Sequence, residues 1–261
     1  MEEELLKGRT QTASQTNSGS GIDTVSEMVY TAYTDTASEY SVCVQRQTFK
    51  GVTDMPRGSP ERTNARREEI IAACETLYQT MGFREITIKE IADYTSFSRP
   101  SIYNYFETKE EIFLALLQKE YERWIADLEE VIDTHDTMTR VELADSLART
   151  LERRQQLLKL MSMNHYDMEA NSRLERLTEF KRAYGSSLKA VDRLLQMFAP
   201  DMTDREREDF LYSFFPFIYG IYPYAVVTDK QREAMDLAET GYVYHSIYEL
   251  AFQCAGKLLE M

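Results

Sequence analysis

Five side chains suited to hydrogen-bonding another molecule crowd into seven positions: Arg99, Ser101, Tyr103, Asn104 and Tyr105. They combine a guanidinium fork, a carboxamide and three hydroxyls, which together donate and accept in several directions. So many polar groups cannot belong to a buried helix, and only Ile102 and Phe106 are left to anchor the segment. Catalytic chemistry finds no comparable foothold. The sequence has no glycine-rich phosphate loop, nucleophile elbow, HExxH pair or Cys/His pairing. His135, His165 and His245 lie in different segments. His165 and Glu169 are four apart and share a helix face, but two ligands do not define a metal site, and the pair reads as a surface or helix-start contact. Cys43, Cys74 and Cys254 are too dispersed for a zinc site or a disulfide framework, and Cys74 reads as core. The expectation is a protein that is not an enzyme, with no metal and no cofactor.

The elements that must position the polar set are legible from periodicity. Ser59-Pro60 opens a first helix, whose stripe of Ile70, Ile71, Cys74, Leu77, Tyr78 and Met81 repeats every three or four residues. Gly82 is expected to stop it at positive φ, with Phe83 folding back as the apolar contact. Thr87 caps a short helix over residues 88–94 that turns Ile88, Ile91 and Ala92 inward. Thr95-Ser96-Phe97 makes a three-residue turn, and Ser98 caps a second short helix over residues 99–105. Two short helices joined by a tight turn and propped by a longer one have the geometry that presents a second helix to the DNA major groove.

The runs Ile86-Thr87-Ile88-Lys89-Glu90-Ile91-Ala92, Phe97 through Phe106, and Lys109-Glu110-Glu111-Ile112 closely resemble the DNA-binding domain of the TetR family. The resemblance covers about 50 residues, and its Tyr-x-Tyr-Phe-x-x-Lys-Glu-Glu ending is highly specific. Pro100 departs from the family's usual small residue, and Tyr94-Thr95-Ser96 replaces its usual Ala-Gly-type turn. The resemblance implies that Arg99, Ser101 and Asn104 face base edges, with Arg99 suited to guanine. It implies that Tyr103 and Tyr105 reach phosphates, and that Thr87 and Lys109 hold flanking phosphates at two helix starts. It also implies a body that holds a small-molecule inducer and pairs with a second copy, giving a homodimer on double-stranded operator DNA.

The expected fold class is all-α, with an N-terminal tri-helical helix-turn-helix domain (57–109) and a helical ligand-binding and dimerisation bundle (110–261). S/T-x-x-E/Q capping boxes recur at Thr87, Thr108, Thr139, Thr203 and Thr228. Body helices are expected near 109–134, 139–163, 166–198, 203–227 and 229–259. In the last, Leu237, Tyr244, Ile247, Tyr248, Ala251 and Leu258 form a stripe that suits either dimerisation or core. The aromatic run from Phe210 to Tyr224 reads first as buried helix. Its tyrosine hydroxyls need partners, and Pro216, Gly220 and Pro223 are expected to open space. Phe214, Tyr219 and Tyr222 therefore become candidate walls of a pocket for an apolar or aromatic ligand.

Residues 1–56, rich in Thr, Ser, Gln and Gly, read as a disordered tail or a non-native extension, with Met55 an alternative start. No apolar run reaches the roughly 18 residues of a membrane span; residues 210–227 come closest but are interrupted by Tyr, Ser, Pro and Gly, and the start lacks signal-peptide character, so a cytoplasmic location is expected. The net charge of −14 argues against nucleic acid until it is divided. Residues 57–109 carry 8 basic and 8 acidic side chains, whereas 1–56 carry 4 and 8, and 110–261 carry 18 and 28. The acidity lies outside the helix-turn-helix, and contact with DNA is short-ranged. The expected function is a transcription regulator, a repressor released from a palindromic operator by a small inducer. The alternative is a ligand-independent or partner-controlled DNA binder whose aromatic run is only core.

Overall fold

Apolar residues at helical spacing, broken by well-marked caps, give helices throughout. The computed structural model describes residues 59–163 and 165–260, and among them every regular element is an α-helix. The expectations for residues 1–56, Cys43 included, lie outside the described residues. In chain order the helices are α1 (Pro60–Tyr78), α2 (Ile88–Asp93), α3 (Arg99–Ile102), α4 (Lys109–Thr134), α5 (Arg140–Arg153) and α6 (Gln155–Met161). They continue as α7 (His165–Ala170), α8 (Leu174–Phe198), α9 (Asp204–Ala225), α10 (Asp229–Leu237) and α11 (Ile247–Leu258). No single helix among the described residues is long and apolar enough to cross a membrane.

Helix α4 is the axis of the fold. It packs against α1 on the N-terminal side and against α5, α6, α7 and α8 in the body. Phe113, Tyr121 and Trp124 along it are fully buried. Trp124 donates its indole N–H to Thr150 Oγ1 at 3.0 Å, which satisfies the one polar atom that its burial isolates.

The long helices expected over 139–163 and 166–198 are each broken, and at an arginine that leaves the helix for a carboxylate. Arg154 adopts φ −106° and ψ 45° between α5 and α6. Its guanidinium grips Asp127 with bonds of 2.6 and 2.7 Å. Arg173, between α7 and α8, reaches Glu111 on α4. The helix expected over 229–259 is also two, separated by residues 238–246, and a capping box at Ser246 and Glu249 opens α11. The proposed single stripe is thereby divided. Ile247 and Ala251 are core, Leu237 is exposed on α10, and Tyr248 donates to Asp145 on α5 at 2.6 Å.

Two local expectations are corrected. Helix α1 ends at Tyr78 with a right-handed cap, and the turn that follows needs no positive φ at Gly82. Instead the Gly82 N–H donates to Glu85 Oε2 at 2.6 Å, while the N–H groups of Glu85 and Ile86 return to the Gly82 carbonyl. Phe83 does fold back, edge-on to Phe113 at 4.8 Å. In α9, Pro216 and Pro223 sit inside a helix that continues through both. They and Gly220 lie on its exposed side, so the room they spare faces away from the bundle.

Candidate nucleic-acid interface

Thr87 caps α2 by accepting from the Lys89 N–H at 3.2 Å, and Ile91 buries the helix against α1. The turn that follows is held without glycine. Thr95 Oγ1 donates to the Ala92 carbonyl at 2.9 Å, and Glu69 on α1 accepts from both the backbone N–H and the hydroxyl of Ser96. No residue of this turn has positive φ, so the departure from a glycine-type turn is accommodated by these bonds. Helix α3 is shorter than expected. Pro100 lies in its first turn, and after Ile102 the chain closes with three-residue spacings, Asn104 N–H to Ser101 and Tyr105 N–H to Ile102. The recognition unit is therefore one helical turn plus the tight turn 103–105, anchored by fully buried Ile102 and Phe106.

The expected contact residues do not all present themselves equally. Thr87, Arg99, Tyr103 and Asn104 are exposed, and Arg99 Nη2 lies 3.3 Å from the Tyr103 hydroxyl. Ser101 is half-buried with its hydroxyl 3.2 Å from that of Ser98. Tyr105 is half-buried, its ring 6.4 Å from Phe97. Lys109 is mostly committed elsewhere. Its ammonium donates to the Phe83 carbonyl at 2.9 Å and the Ile86 carbonyl at 3.3 Å, and lies 4.0 Å from the centre of the Phe83 ring. An ammonium has three donors, so one remains for a phosphate.

Ion pairs tie this unit to the body. Glu111 has no exposed side-chain surface and accepts from the Glu107 N–H at 2.8 Å, from the Arg173 N–H at 3.0 Å, and from Arg173 Nε and Nη2 at 2.7 Å each. Arg173 Nη2 also donates to the Tyr105 carbonyl at 3.3 Å, so one body residue fixes the chain just after α3. Beside it, Glu179 on α8 pairs with Arg67 on α1 at 2.6 Å and with Arg176 at 2.9 Å. Burial alone raises the Glu111 and Glu179 carboxyls. Arg173 and the Glu107 N–H more than reverse this for Glu111, and Arg67 and Arg176 do so for Glu179, so both sit below their ordinary range. A carboxyl lowered on folding stabilises above its unfolded pKa of about 4.3 and loses that contribution as pH falls through its folded value. The urea midpoint is accordingly expected to drop as pH is taken below about 4, and Glu111→Gln to flatten that drop. An unchanged acid slope in the variant would show that Glu111 is not a source of it.

The other singled-out residues, Phe214, Tyr219 and Tyr222, lie on one helix, α9, in different settings. Phe214 is fully buried, its ring 5.2 Å from Phe210 and 6.5 Å from Phe215. The Tyr219 hydroxyl lies 3.0 Å from that of Tyr121. Tyr222 is half-buried near Tyr78, and burial raises its hydroxyl pKa. A groove of about 440 Å³ lies elsewhere, between α4 and α8, lined by Gln118, Glu122, Ile125, Glu179 and Arg182 among others, and none of the three reaches it. No cluster of three or more metal-binding side chains occurs among the described residues. Glu169 instead pairs with Lys181 at 2.7 Å.

Sequence comparison decides the family. Residues 70–116 match the description "Bacterial regulatory proteins, tetR family", and residues 118–245 match "Tetracyclin repressor-like, C-terminal domain". The chain belongs to the TetR family. In this TetR-family chain the helix-turn-helix lies within the segment that matches the regulatory-protein description. It is 32% identical over 63 residues to the uncharacterized HTH-type transcriptional regulator YfiR of Bacillus subtilis, covering 24% of this chain and 31% of that one. It is 26% identical over 115 residues to the HTH-type transcriptional activator FasR of Mycolicibacterium smegmatis, covering 43% and 52%. The chain thus spans about half or less of these curated relatives. A transcriptional regulator of the TetR/AcrR family from Thermobifida fusca shares the fold, with a TM-score of 0.50, 19% identity, and coverage of 75% of this chain and 97% of that one.

Three residues that position the TetR-type recognition unit escape a reading of the motif. Glu69 is one of several charges on α1, and Arg173 and Glu179 fall inside the helix expected over residues 166–198. Glu111 was in plain view as the end of a capping box. Its backbone N–H does bond to Thr108 Oγ1, but its carboxylate goes to Arg173 and Glu107.

Proposed function

We propose that the protein is a dimeric repressor whose 57–109 domain reads a palindromic operator and whose 110–261 domain pairs with a second copy and responds to a small apolar or aromatic ligand. The observation that carries the reading is the exposed group of Arg99, Tyr103 and Asn104 on a unit that is braced from behind. Ile102 and Phe106 anchor it, Glu69 pins its turn, and Arg173 holds its end. In this reading Arg99, Ser101 and Asn104 meet base edges, Tyr103, Tyr105 and Thr87 meet phosphates, and Lys109 adds one phosphate contact while bracing two carbonyls. A lone unit of this size binds weakly, and a two-fold pair places two of them about one DNA turn apart.

Gel shifts across a salt series, with random DNA as competitor and DNA from upstream of the protein's own gene as probe, test this reading. Binding that resists competitor and leaves a two-fold-symmetric footprint supports it, and binding that vanishes with salt on every probe ends it. Arg99→Ala is expected to cost about 1–3 kcal/mol on the operator and little on random DNA. Equal losses on both would remove the base-reading role. Lys109→Ala is expected to weaken all DNA alike and also to lower the melting temperature, since two carbonyls lose their donor.

A second reading, DNA binding controlled without a ligand, is favoured by one observation. Phe214 is buried and the Tyr121 and Tyr219 hydroxyls already meet, so this part of the aromatic run is packed into the body. Trp124, the only tryptophan, packs 5.9 Å from Phe215 and reports on that interior. Quenching or a wavelength shift of its emission on adding aromatic compounds, alongside operator release, supports the ligand-controlled reading. Release by a partner protein with unchanged emission supports the other.

A further inference from the structure

Helices α4 and α8 run side by side in the same direction, joined at two levels by glutamate–arginine pairs. Glu111 in the first turn of α4 meets Arg173 at the start of α8, 62 positions on. Glu129 meets Arg193, 64 positions on. Between these levels Glu122 and Arg182 stand at the matching spacing, 60 positions from 122 to 182, and this third pair is not made. The Glu122 carboxylate accepts from the Gln118 carboxamide at 2.8 Å, and neither residue has an ion-pair partner among the described residues. Charges around them do: Lys119 pairs with Glu68, Arg123 with Glu75 and Lys181 with Glu169.

Both unpaired charges line the groove of about 440 Å³ between the two helices, a volume typical of small-molecule sites. Ile125 and buried Ala183 give it an apolar wall. It lies on the solvent side of the helix pair, because Tyr121 and Phe180 fill the opposite side with rings 6.1 Å apart. The site is therefore separate from the aromatic run of α9. An uncompensated anion on one wall and an uncompensated cation on the other fit a molecule that carries both charges. A guanidinium takes a carboxylate through two parallel bonds, and a carboxylate takes an ammonium. Glu179 extends the groove toward the helix-turn-helix. It holds Arg67 on α1 at 2.6 Å and Arg176 at 2.9 Å, and both guanidiniums lie over the ring of Phe106, at 5.5 and 5.9 Å. The Nε atoms of both arginines are buried without an acceptor, so donors are in surplus at this junction.

We propose that this groove binds a small zwitterion with a short aliphatic substituent, its ammonium on Glu122, its carboxylate on Arg182 and its substituent against Ile125 and Ala183. A molecule seated there stands against Glu179 and changes how firmly the body holds α1. Binding is independent of the operator reading above, whereas the effect on DNA rests on it. Isothermal titration of the full chain with L-leucine is expected to saturate. Isocaproate and isoamylamine, which each lack one of the two charges, are expected to bind about tenfold more weakly or less. Glu122→Gln and Arg182→Gln change exposed side chains, so the melting temperature without leucine stays the same while each raises the Kd for leucine about tenfold or more. Titration that never saturates, isocaproate that binds as well as leucine, or variants that bind like the wild type overturn the site. Gel shifts on the operator with and without leucine test the link to α1. An affinity that leucine changes in the wild type and not in Arg182→Gln supports it. An affinity that leucine leaves alone, in protein shown by calorimetry to bind it, overturns the link through Glu179. Protein that binds leucine but no operator faults the operator reading and not the site.

Discussion

Replacing Arg173 with alanine is expected to lower the unfolding free energy by about 3 kcal/mol and to weaken operator binding beyond what the lost stability explains. The carboxylate of Glu111 is fully enclosed, and three of its four hydrogen bonds come from Arg173. The variant keeps the Arg173 backbone N–H but leaves a buried charge without its cation, the costly way to break such a pair. Because Arg173 is itself 37% exposed, water softens the loss, which places the figure at the lower end of the range for buried pairs. Glu111→Gln keeps the shape and two acceptor or donor sites without the charge, so it is expected to cost less. The double variant Glu111→Gln, Arg173→Ala is expected to cost less than the two single changes added together, since each removes the same interaction. Urea denaturation of the four proteins closes this cycle. The functional part follows from the Tyr105 carbonyl, which Arg173 also holds: without it the turn 103–105 loses its brace against the body. A loss below about 1 kcal/mol, the range of exposed pairs, would reduce Arg173 to a surface contact.

That latch also marks where the sequence stops being informative. Helical class, the short helices before and after Thr95-Ser96-Phe97, and the caps at Thr139, Thr203 and Thr228 are local properties, and local chemistry wrote them legibly. The breaks at Arg154 and Arg173 are not local. Both residues favour helix by propensity, and each leaves it because a carboxylate 27 or 62 positions away in the chain is buried without another cation. No window of neighbouring residues carries that information. The break before α11 was legible, because Ser246 and Glu249 form the same cap pattern seen elsewhere, but a stripe running on from Leu237 to Leu258 outweighed it. At the candidate interface, Thr87 and the exposed Arg99, Tyr103 and Asn104 follow from the motif. The commitment of Lys109 to the Phe83 and Ile86 carbonyls does not, since it depends on how closely α4 passes the turn after α1.

Phe214→Ala is expected to cost about 3–5 kcal/mol. Its ring is fully enclosed and touches Phe210 and Phe215, and Phe215 in turn meets Trp124 and Tyr184. Removing it deletes apolar contacts and leaves a void that a rigid helical bundle closes only in part. At about 2–4 °C per kcal/mol for a chain of this size, the melting temperature falls by on the order of 10 °C. Such a void is lined by aromatic rings and stays dry, so benzene is expected to raise the variant's melting temperature while leaving the wild type's unchanged. Trp124 emission is expected to shift in the variant, because its ring stands one aromatic neighbour away from the void. The same measurement separates the two accounts of the body. If the ring were the wall of an open ligand site, its loss would leave stability within about 1 kcal/mol and abolish the response to the ligand. A large loss of stability, with operator release intact at temperatures where the variant is folded, places Phe214 in the core and moves the search for the ligand site to side chains that the wild-type fold leaves accessible.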